Sequence, residues 1–196
     1  MNIAIVGGGI VGLALGYKLS KVKGNKVHVY EKEKEVGFNQ SGRNSGVLHC
    51  GLAYKPGSLK AKLAVSGIKQ MVKYCNDYKI NHDVCGKIVV ASNEDEAKLL
   101  ENTAQRGNLN GLKGLKYLNN RELKDREPFV SSHKTLLVPE EGIVDYKGLM
   151  MSMKENIINS GGNVFLDTKI EKVEENKNFI YINKNSSVSY NTITVS

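Results

Sequence analysis

The chain has 196 residues, with 40% hydrophobic and 24% charged residues and a formal net charge of +8 at pH 7. This length and composition are typical of one soluble globular domain, or of one domain with part of another. Lysine supplies most of the positive charge and no basic cluster alternates with aromatic residues, so nucleic-acid binding is not predicted. The mild positive field instead favours small anionic ligands.

The first thirty or so residues predict a strand, a glycine-rich turn, a helix and a second strand. Asn2–Val6 is a short apolar run, as in a buried parallel strand. Ile10–Lys23 has apolar residues at helical spacing, and Lys26–Tyr30 alternates like a second strand. On one predicted helix face lie Val11, Ala14, Leu15, Leu19 and Val22. This β-α-β unit has the size that the dinucleotide-binding fold requires.

The rest of the chain predicts an α/β fold. Glu31–Tyr54 is rich in Gly, Ser and Asn and predicts an ordered, ligand-contacting loop. Helices are predicted at 58–78, 93–106, 121–126 and 147–160, with Ser58 and Asn93 as N-caps and Gly161-Gly162 as the last stop. Strands are predicted at 87–91, 163–166, 169–174, 179–183 and 192–195.

The cysteines and the N-terminus bear on location. Cys50, Cys75 and Cys85 form no CxxC pair and predict reduced thiols in a cytoplasmic protein. Ile3–Gly16 is uncharged, but it is too short and too rich in glycine for a membrane span, so neither a signal peptide nor a membrane helix is predicted. Peripheral contact with the inner membrane stays open. His82 has no second ligand pair to complete a tetrahedral site, so no metal site is predicted.

The glycine turn is the first candidate chemical site. In the GxGxxG pattern, Gly7 permits the tight turn, Gly9 lets a pyrophosphate approach the backbone, and Gly12 lets the helix pack on the sheet. The helix N-terminus then offers free N–H groups to the phosphates. Glu31, at the end of the second strand, can accept hydrogen bonds from a ribose diol and would repel the 2′-phosphate of NADP. The alternative is a glycine-rich turn without a ligand.

The loop from Ser41 to Gly51 is the second candidate site. Its hydroxyl groups, the Arg43 guanidinium and its flexible backbone suit a diphosphate approached from the other side. A polar surface loop is the alternative reading.

Together these motifs resemble the FAD-dependent oxidoreductases of the D-amino-acid oxidase superfamily. The segments GGGIVG, SGRNSGVLHCG and YKPGSLKA are most similar to the L-2-hydroxyglutarate oxidase/dehydrogenase family. Glu141–Tyr146 resembles the family segment before the helix that returns to the Rossmann domain, and Gly161–Ile170 resembles the strand region that contacts adenine. The resemblance implies FAD, noncovalent or covalent, and contacts to it from Gly7, Gly9, Gly12, Glu31, Ser41, Arg43, Asn44, Ser45 and Ile170.

The implied fold is a Rossmann-like FAD-binding domain of the glutathione-reductase type with part of an inserted α+β substrate domain. Residues 1–80 would begin the FAD-binding domain, 81–145 would start the substrate domain, and 146–196 would return to the first. In the family, an Ala-Gly turn and a C-terminal half follow the last strand, so the chain is expected to be the N-terminal part of a longer enzyme.

The implied reaction is the oxidation of a 2-hydroxy acid, a dicarboxylate such as L-2-hydroxyglutarate, to the 2-oxo acid by hydride transfer to FAD. His49 is the candidate catalytic residue, with covalent flavin attachment and a structural hydrogen bond as alternatives. Tyr54 and Lys55 are candidate substrate contacts, with packing and solvated surface roles as their alternatives. An amine or amino-acid oxidase and an inactive FAD-binding remnant remain alternative functions. The electron acceptor, oxygen or a quinone, stays open.

Overall fold

The structure is a computed structural model that describes residues 1–177, 180–183 and 189–195. Two compact units form: Met1–Ser45 with Tyr146–Ser196 is the first unit, and Gly46–Asp145 is the second unit. Residues 46–80, assigned to the FAD-binding domain from the sequence, pack with residues 81–145. The three-part functional division itself stays a prediction. None of the helices among the described residues combines the length and the apolar character needed to cross a membrane.

Five helices and thirteen strands are present in the described part of the chain. The helices are α1 (Ile10–Ser20), α2 (Leu59–Tyr78), α3 (Glu94–Leu109), α4 (Asn120–Arg126) and α5 (Tyr146–Asn159). The strands are β1 (Asn2–Val6), β2 (Lys26–Tyr30), β3 (Val47–Leu48), β4 (His82–Asp83), β5 (Lys87–Ala91), β6 (Lys116–Leu118), β7 (Lys134–Val138), β8 (Gly142–Val144), β9 (Asn163–Phe165), β10 (Val173–Glu175), β11 (Ile180–Ile182), β12 (Ser189–Tyr190) and β13 (Thr192–Val195). A single 3-10 turn lies at Gln40–Gly42.

The first unit is built on a parallel sheet in the order β13-β1-β2-β9. Strands β1 and β2 carry Ile3, Ile5, Val27 and Val29, all of which are buried, as expected of parallel strands covered on both faces. The predicted β-α-β unit is confirmed, and α1 contacts α5. The predicted stop at Gly161-Gly162 is also confirmed: α5 ends at Asn159, and Gly161, two residues later, has a φ of +83°.

The predicted inward face of α1 is wrong. Gly12, Leu13, Gly16 and Tyr17 are its buried residues, whereas Val11 is 67% exposed. A Cβ built on Gly16 would lie 2.8 Å from Cδ1 of an α5 isoleucine, so close packing on glycine, and not an apolar stripe, sets this face. The helix also ends earlier than predicted, at Ser20.

The predicted strand at 169–174 is wrong over its first half. Asn183 takes the place of a neighbouring strand there: its Oδ1 accepts from the backbone N–H groups of Glu171 (3.0 Å) and Lys172 (3.3 Å). Its Nδ2 donates to the Lys169 carbonyl at 3.0 Å. Residues 168–172 are therefore irregular, and regular strand structure begins at β10, which pairs with β11 in the small antiparallel sheet β10-β11-β12. Phe179, at the predicted start of the following strand, lies outside the described residues.

The second unit contains two antiparallel sheets, β5-β7-β6 and β3-β8-β4, with α2, α3 and α4. The predicted helix caps are confirmed. Ser58 Oγ accepts from the N–H of Ala61 at 3.2 Å, and the Asn93 side chain accepts from that of Glu96 at 3.0 Å. The sequence did not predict strands β3, β4, β6, β7 and β8, of which β3, β4, β6 and β8 have only two or three residues.

A pH-dependent stability of the first unit is predicted from His28 on β2. His28 is 4% exposed, beside the rings of Phe165 (5.8 Å between centroids) and Tyr190 (5.6 Å). Neither ring nitrogen has a hydrogen-bond partner among the described residues. Burial, followed by the charge of Lys26, lowers the pKa of His28 below its ordinary 6.5.

The unfolded chain therefore binds a proton that the folded chain resists, so the free energy of unfolding should fall as the pH drops through 6.5 towards the lower folded pKa. The loss attributable to His28 is at most about 1.4 kcal/mol per pH unit. His28→Phe should remove that part of the slope, which urea unfolding at about pH 7.5 and about pH 5.5 measures. Equal losses in the two proteins would contradict this assignment.

Candidate functional site

A cleft of about 490 Å³ lies in the first unit, around the turn between β1 and α1. It is formed where the carboxyl ends of β1 and β2 meet, which is the usual ligand position in an open parallel sheet. Its lining residues are Val6, Gly7, Gly9, Val11, Tyr30, Glu31, Lys32, Gly37, Phe38, Asn39, Gln40, Ser41, Thr168, Lys169 and Ile170. Five of the predicted cofactor contacts are therefore brought together: Gly7, Gly9, Glu31, Ser41 and Ile170.

The glycine turn presents the N-terminus of α1 to this cleft. Gly7 has a φ of +113° and donates its N–H to the Tyr30 carbonyl at 2.8 Å, which fixes the exit from β1. Gly9 is the N-cap of α1 and, because it has no side chain, it provides no capping group. Ser41 Oγ accepts from the N–H of Ile10 at 3.0 Å, and a Cβ on Gly9 would lie 3.0 Å from that oxygen. A side chain at residue 9 would therefore crowd the Ser41 hydroxyl in the cleft that both residues line.

Glu31 borders the cleft as a buried carboxylate, 8% exposed. Its Oε2 accepts from the Gly8 N–H at 2.7 Å and its Oε1 from the Glu33 N–H at 2.9 Å. Its backbone is tied to Phe165 and Thr168, each at 2.8 Å. These hydrogen bonds hold Glu31 rigidly. Each carboxylate oxygen can still accept a second hydrogen bond, so Glu31 keeps acceptor capacity for a diol.

The far side of the cleft comes from the irregular segment 168–170 and the loop 37–41. Ile170 packs against the buried cluster of Ala4, Ile182 and Tyr190. Lys32 and Lys169 add two cations to the lining that sequence analysis did not select. The loop and the segment were both expected near the cofactor, but no local signal selected Lys32 and Lys169 within them.

Four predicted contacts lie elsewhere in the first unit. Gly12 is buried within α1, consistent with its predicted packing role. Arg43, Asn44 and Ser45 are exposed and do not line the cleft. The Arg43 guanidinium lies 5.4 Å from the centroid of the Phe38 ring, and Asn44 Nδ2 donates to the Ser41 carbonyl at 2.5 Å. These contacts keep both side chains close to the loop that carries Ser41.

The remaining candidates belong to the second unit. The His49 side chain is 58% exposed, and its Nδ1 lies 3.7 Å from Oε1 of the buried Glu141. Tyr54 is half-buried beneath the ammonium of Lys60, 4.5 Å from the ring centroid, and Lys55 is exposed. Within residues 1–177, 180–183 and 189–195, no three His, Cys, Asp or Glu side chains are grouped as metal ligands.

The family model for FAD dependent oxidoreductases of the DAO type matches residues 2–193. The chain belongs to this family. L-2-hydroxyglutarate dehydrogenase of Indibacter alkaliphilus is 45% identical over 174 residues, which are 88% of this chain and 44% of that relative. Mitochondrial L-2-hydroxyglutarate dehydrogenase of Homo sapiens is 37% identical over 174 residues, which are 88% of this chain and 38% of that relative. The chain thus spans less than half the length of these FAD-dependent relatives.

Solved structures show the same fold. Glycine oxidase from Geobacillus kaustophilus superimposes with a TM-score of 0.88 at 20% identity, over 99% of this chain and 54% of that one. Dithionite-reduced L-α-glycerophosphate oxidase from Mycoplasma pneumoniae, with FAD bound, gives a TM-score of 0.84 at 25% identity, over 99% and 52% of the two chains. The predicted family, fold class and FAD cofactor are confirmed.

Proposed function

We propose that the cleft of the first unit holds the FAD of this family, with the diphosphate at the N-terminus of α1. The carrying observation is the turn at Gly9, where a Cβ would lie 3.0 Å from Ser41 Oγ and take the space that a phosphate needs. Glu31 would accept hydrogen bonds from the adenosine ribose. The proposed contacts in the cleft are Gly7, Gly9, Glu31, Ser41 and, through its backbone, Ile170. Gly12 would serve the site through the packing of α1, and contacts from Arg43, Asn44 and Ser45, which lie outside the cleft, are proposed on the resemblance alone.

The proposed activity of the whole protein is the oxidation of a 2-hydroxy acid, L-2-hydroxyglutarate, to 2-oxoglutarate. The 45% identity to a protein named L-2-hydroxyglutarate dehydrogenase supports this substrate. Bound FAD would supply the hydride acceptor. Lys55 would pair with a substrate carboxylate and Tyr54 would contact the substrate, since both follow the loop that carries His49.

His49 is proposed to take the proton of the substrate hydroxyl. Its side chain is exposed enough to meet a ligand, and with Nδ1 directed at Glu141, Nε2 is the atom available as the acceptor. Removing that proton favours loss of the C–H hydrogen as hydride, because the developing carbonyl then carries no positive charge.

The proposed activity is tested by anaerobic reduction of the flavin, measured on the complete gene product. L-2-hydroxyglutarate should bleach the oxidised flavin absorbance, whereas the D enantiomer should leave it unchanged. His49→Asn should bind FAD like the wild type and bleach about 100-fold more slowly. Bleaching by an amino acid but not by L-2-hydroxyglutarate would replace this proposal with an amine or amino-acid oxidase.

The electron acceptor and the cellular location also belong to the proposal. We infer a cytoplasmic protein from its three free cysteines, one of them exposed, and a peripheral contact with the inner membrane would suit a quinone acceptor better than oxygen. Relatives from Dictyostelium discoideum and Homo sapiens are named as mitochondrial.

A further inference from the structure

Glu141 is a buried carboxylate in the second unit to which sequence analysis gave no chemical role. Its side chain is 2% exposed, and it lies in the tight turn between β7 and β8. Its own carbonyl accepts from the Gly86 N–H at 2.8 Å, which fixes the turn against the start of β5. A buried carboxylate is costly unless other groups compensate its charge.

Compensation comes from two separate segments. Lys87 on β5 forms an ion pair with Oε2 of Glu141. Oε2 has no hydrogen-bond partner among the described residues. On the other side, Oε1 accepts from the backbone N–H and from Sγ of Cys50, each at 3.4 Å. Nδ1 of His49 lies 3.7 Å from the same oxygen, at ion-pair distance.

Among the residues that the structure describes, the polar contacts to Oε1 come from His49 and Cys50. A neutral side chain could fill this space without the cost of burying a charge. A carboxylate does two things there that an apolar residue cannot: it accepts the hydrogen bond of the Cys50 amide, and it places a negative charge 3.7 Å from Nδ1 of His49.

We infer that Glu141 is the positioning residue of His49, holding its backbone through the Cys50 amide and directing its ring so that Nε2 is left as the proton acceptor. The inference rests on the proposed function for the role of His49 in catalysis. The hold on residues 49–50 does not depend on that function, and it can be measured without activity.

Cys50 reports this hold directly. Burial, with the charge and hydrogen bond of Glu141 adding to it, raises the pKa of the Cys50 thiol to about 12. Cys50 should therefore be inert to thiol reagents in the native protein. Cys75 is buried in α2 of the same unit. None of the Glu141 contacts given above involves Cys75, so it serves as an internal reference. Cys85 is exposed and should first be replaced by serine.

The first experiment labels the FAD-loaded Cys85→Ser protein with iodoacetamide and reads each cysteine by peptide mass spectrometry. Glu141→Gln, which removes the charge but keeps an acceptor oxygen, should raise the labelling rate of Cys50 through a lower thiol pKa. Glu141→Leu, which also removes the acceptor of the Cys50 amide, should raise that rate about 10-fold further and leave Cys75 protected. Glu140→Gln removes a neighbouring charge that makes the smallest contribution to the raised pKa of Cys50, so it should change the Cys50 rate far less than the Glu141 variants and leave Cys75 unchanged. Equal exposure of Cys50 and Cys75 would mean general loosening of the unit and would overturn the inference, as would an unchanged Cys50.

The second experiment is a double-mutant cycle on the rate of flavin bleaching by L-2-hydroxyglutarate. Glu141→Gln and His49→Asn should each slow bleaching about 100-fold, and the double variant should be no slower than His49→Asn alone. Additive losses would show that Glu141 acts independently of His49 and would overturn its positioning role. If the wild type is not bleached at all, the proposed function fails and the catalytic role of Glu141 fails with it, while labelling still decides the hold on Cys50.

Discussion

Replacing Gly9 with valine is expected to weaken FAD binding by about 100-fold or more, equivalent to about 2.7 kcal/mol. Gly9 has φ −77° and ψ 178°, an ordinary extended conformation, so backbone strain is not the reason. The reason is space: a Cβ would lie 3.0 Å from Ser41 Oγ, and the two methyl groups of valine would extend into the cleft. They would also displace the hydroxyl that receives the Ile10 N–H.

Titration with FAD, followed by quenching of flavin fluorescence, measures the loss. Gly9→Ala should fall between the wild type and Gly9→Val, since the Ser41 hydroxyl can rotate away from a single methyl group. Gly67→Ala is the matched control, because a Cβ at this position of α2 meets nothing within 4 Å. Wild-type affinity in Gly9→Val, with the melting temperature unchanged, would place the diphosphate elsewhere and refute the proposed site.

The first strand, turn and second strand were predictable because each signal is local. Asn2–Val6 and Lys26–Tyr30 match the structure residue for residue, and the spacing of the glycines needs no knowledge of distant segments. The buried face of α1 was not predictable in the same way. Counting apolar side chains selects Val11, whereas the helix packs through Gly12 and Gly16, which carry no side chain to count.

The parts that sequence analysis missed depend on contacts between distant residues. Glu141 meets Cys50 across 91 positions, and nothing in either local pattern indicates that pairing. The segment at Lys169 has a strand-like composition, but the amide of Asn183, 14 residues later, takes its backbone hydrogen bonds. Five of the nine predicted cofactor contacts line the cleft.

Two adjacent glycines should respond very differently to alanine. Both follow α5, and composition alone assigns them the same role as a helix stop. Gly161 has a φ of +83° with nothing within 4 Å of a built Cβ, so Gly161→Ala should cost about 1 kcal/mol of backbone strain. At Gly162 a Cβ would lie 2.6 Å from the Val27 carbonyl oxygen and 2.9 Å from that of Ile157. Backbone atoms of β2 and α5 cannot rotate away, so Gly162→Ala should cost about 3 kcal/mol or more.

For a chain of this length, these losses correspond to melting temperatures lower by about 2–4 °C for Gly161→Ala and about 6–12 °C for Gly162→Ala. Calorimetry of the two variants beside the wild type measures both, and each variant controls for the other because the substitution is identical. Gly162 also fixes the start of β9, which pairs with β2 at His28 and leads into the segment carrying Ile170. FAD affinity should therefore fall further in Gly162→Ala than in Gly161→Ala. Equal melting temperatures would show that β9 can move away from β2 at little cost, and that the cleft does not depend on this close approach.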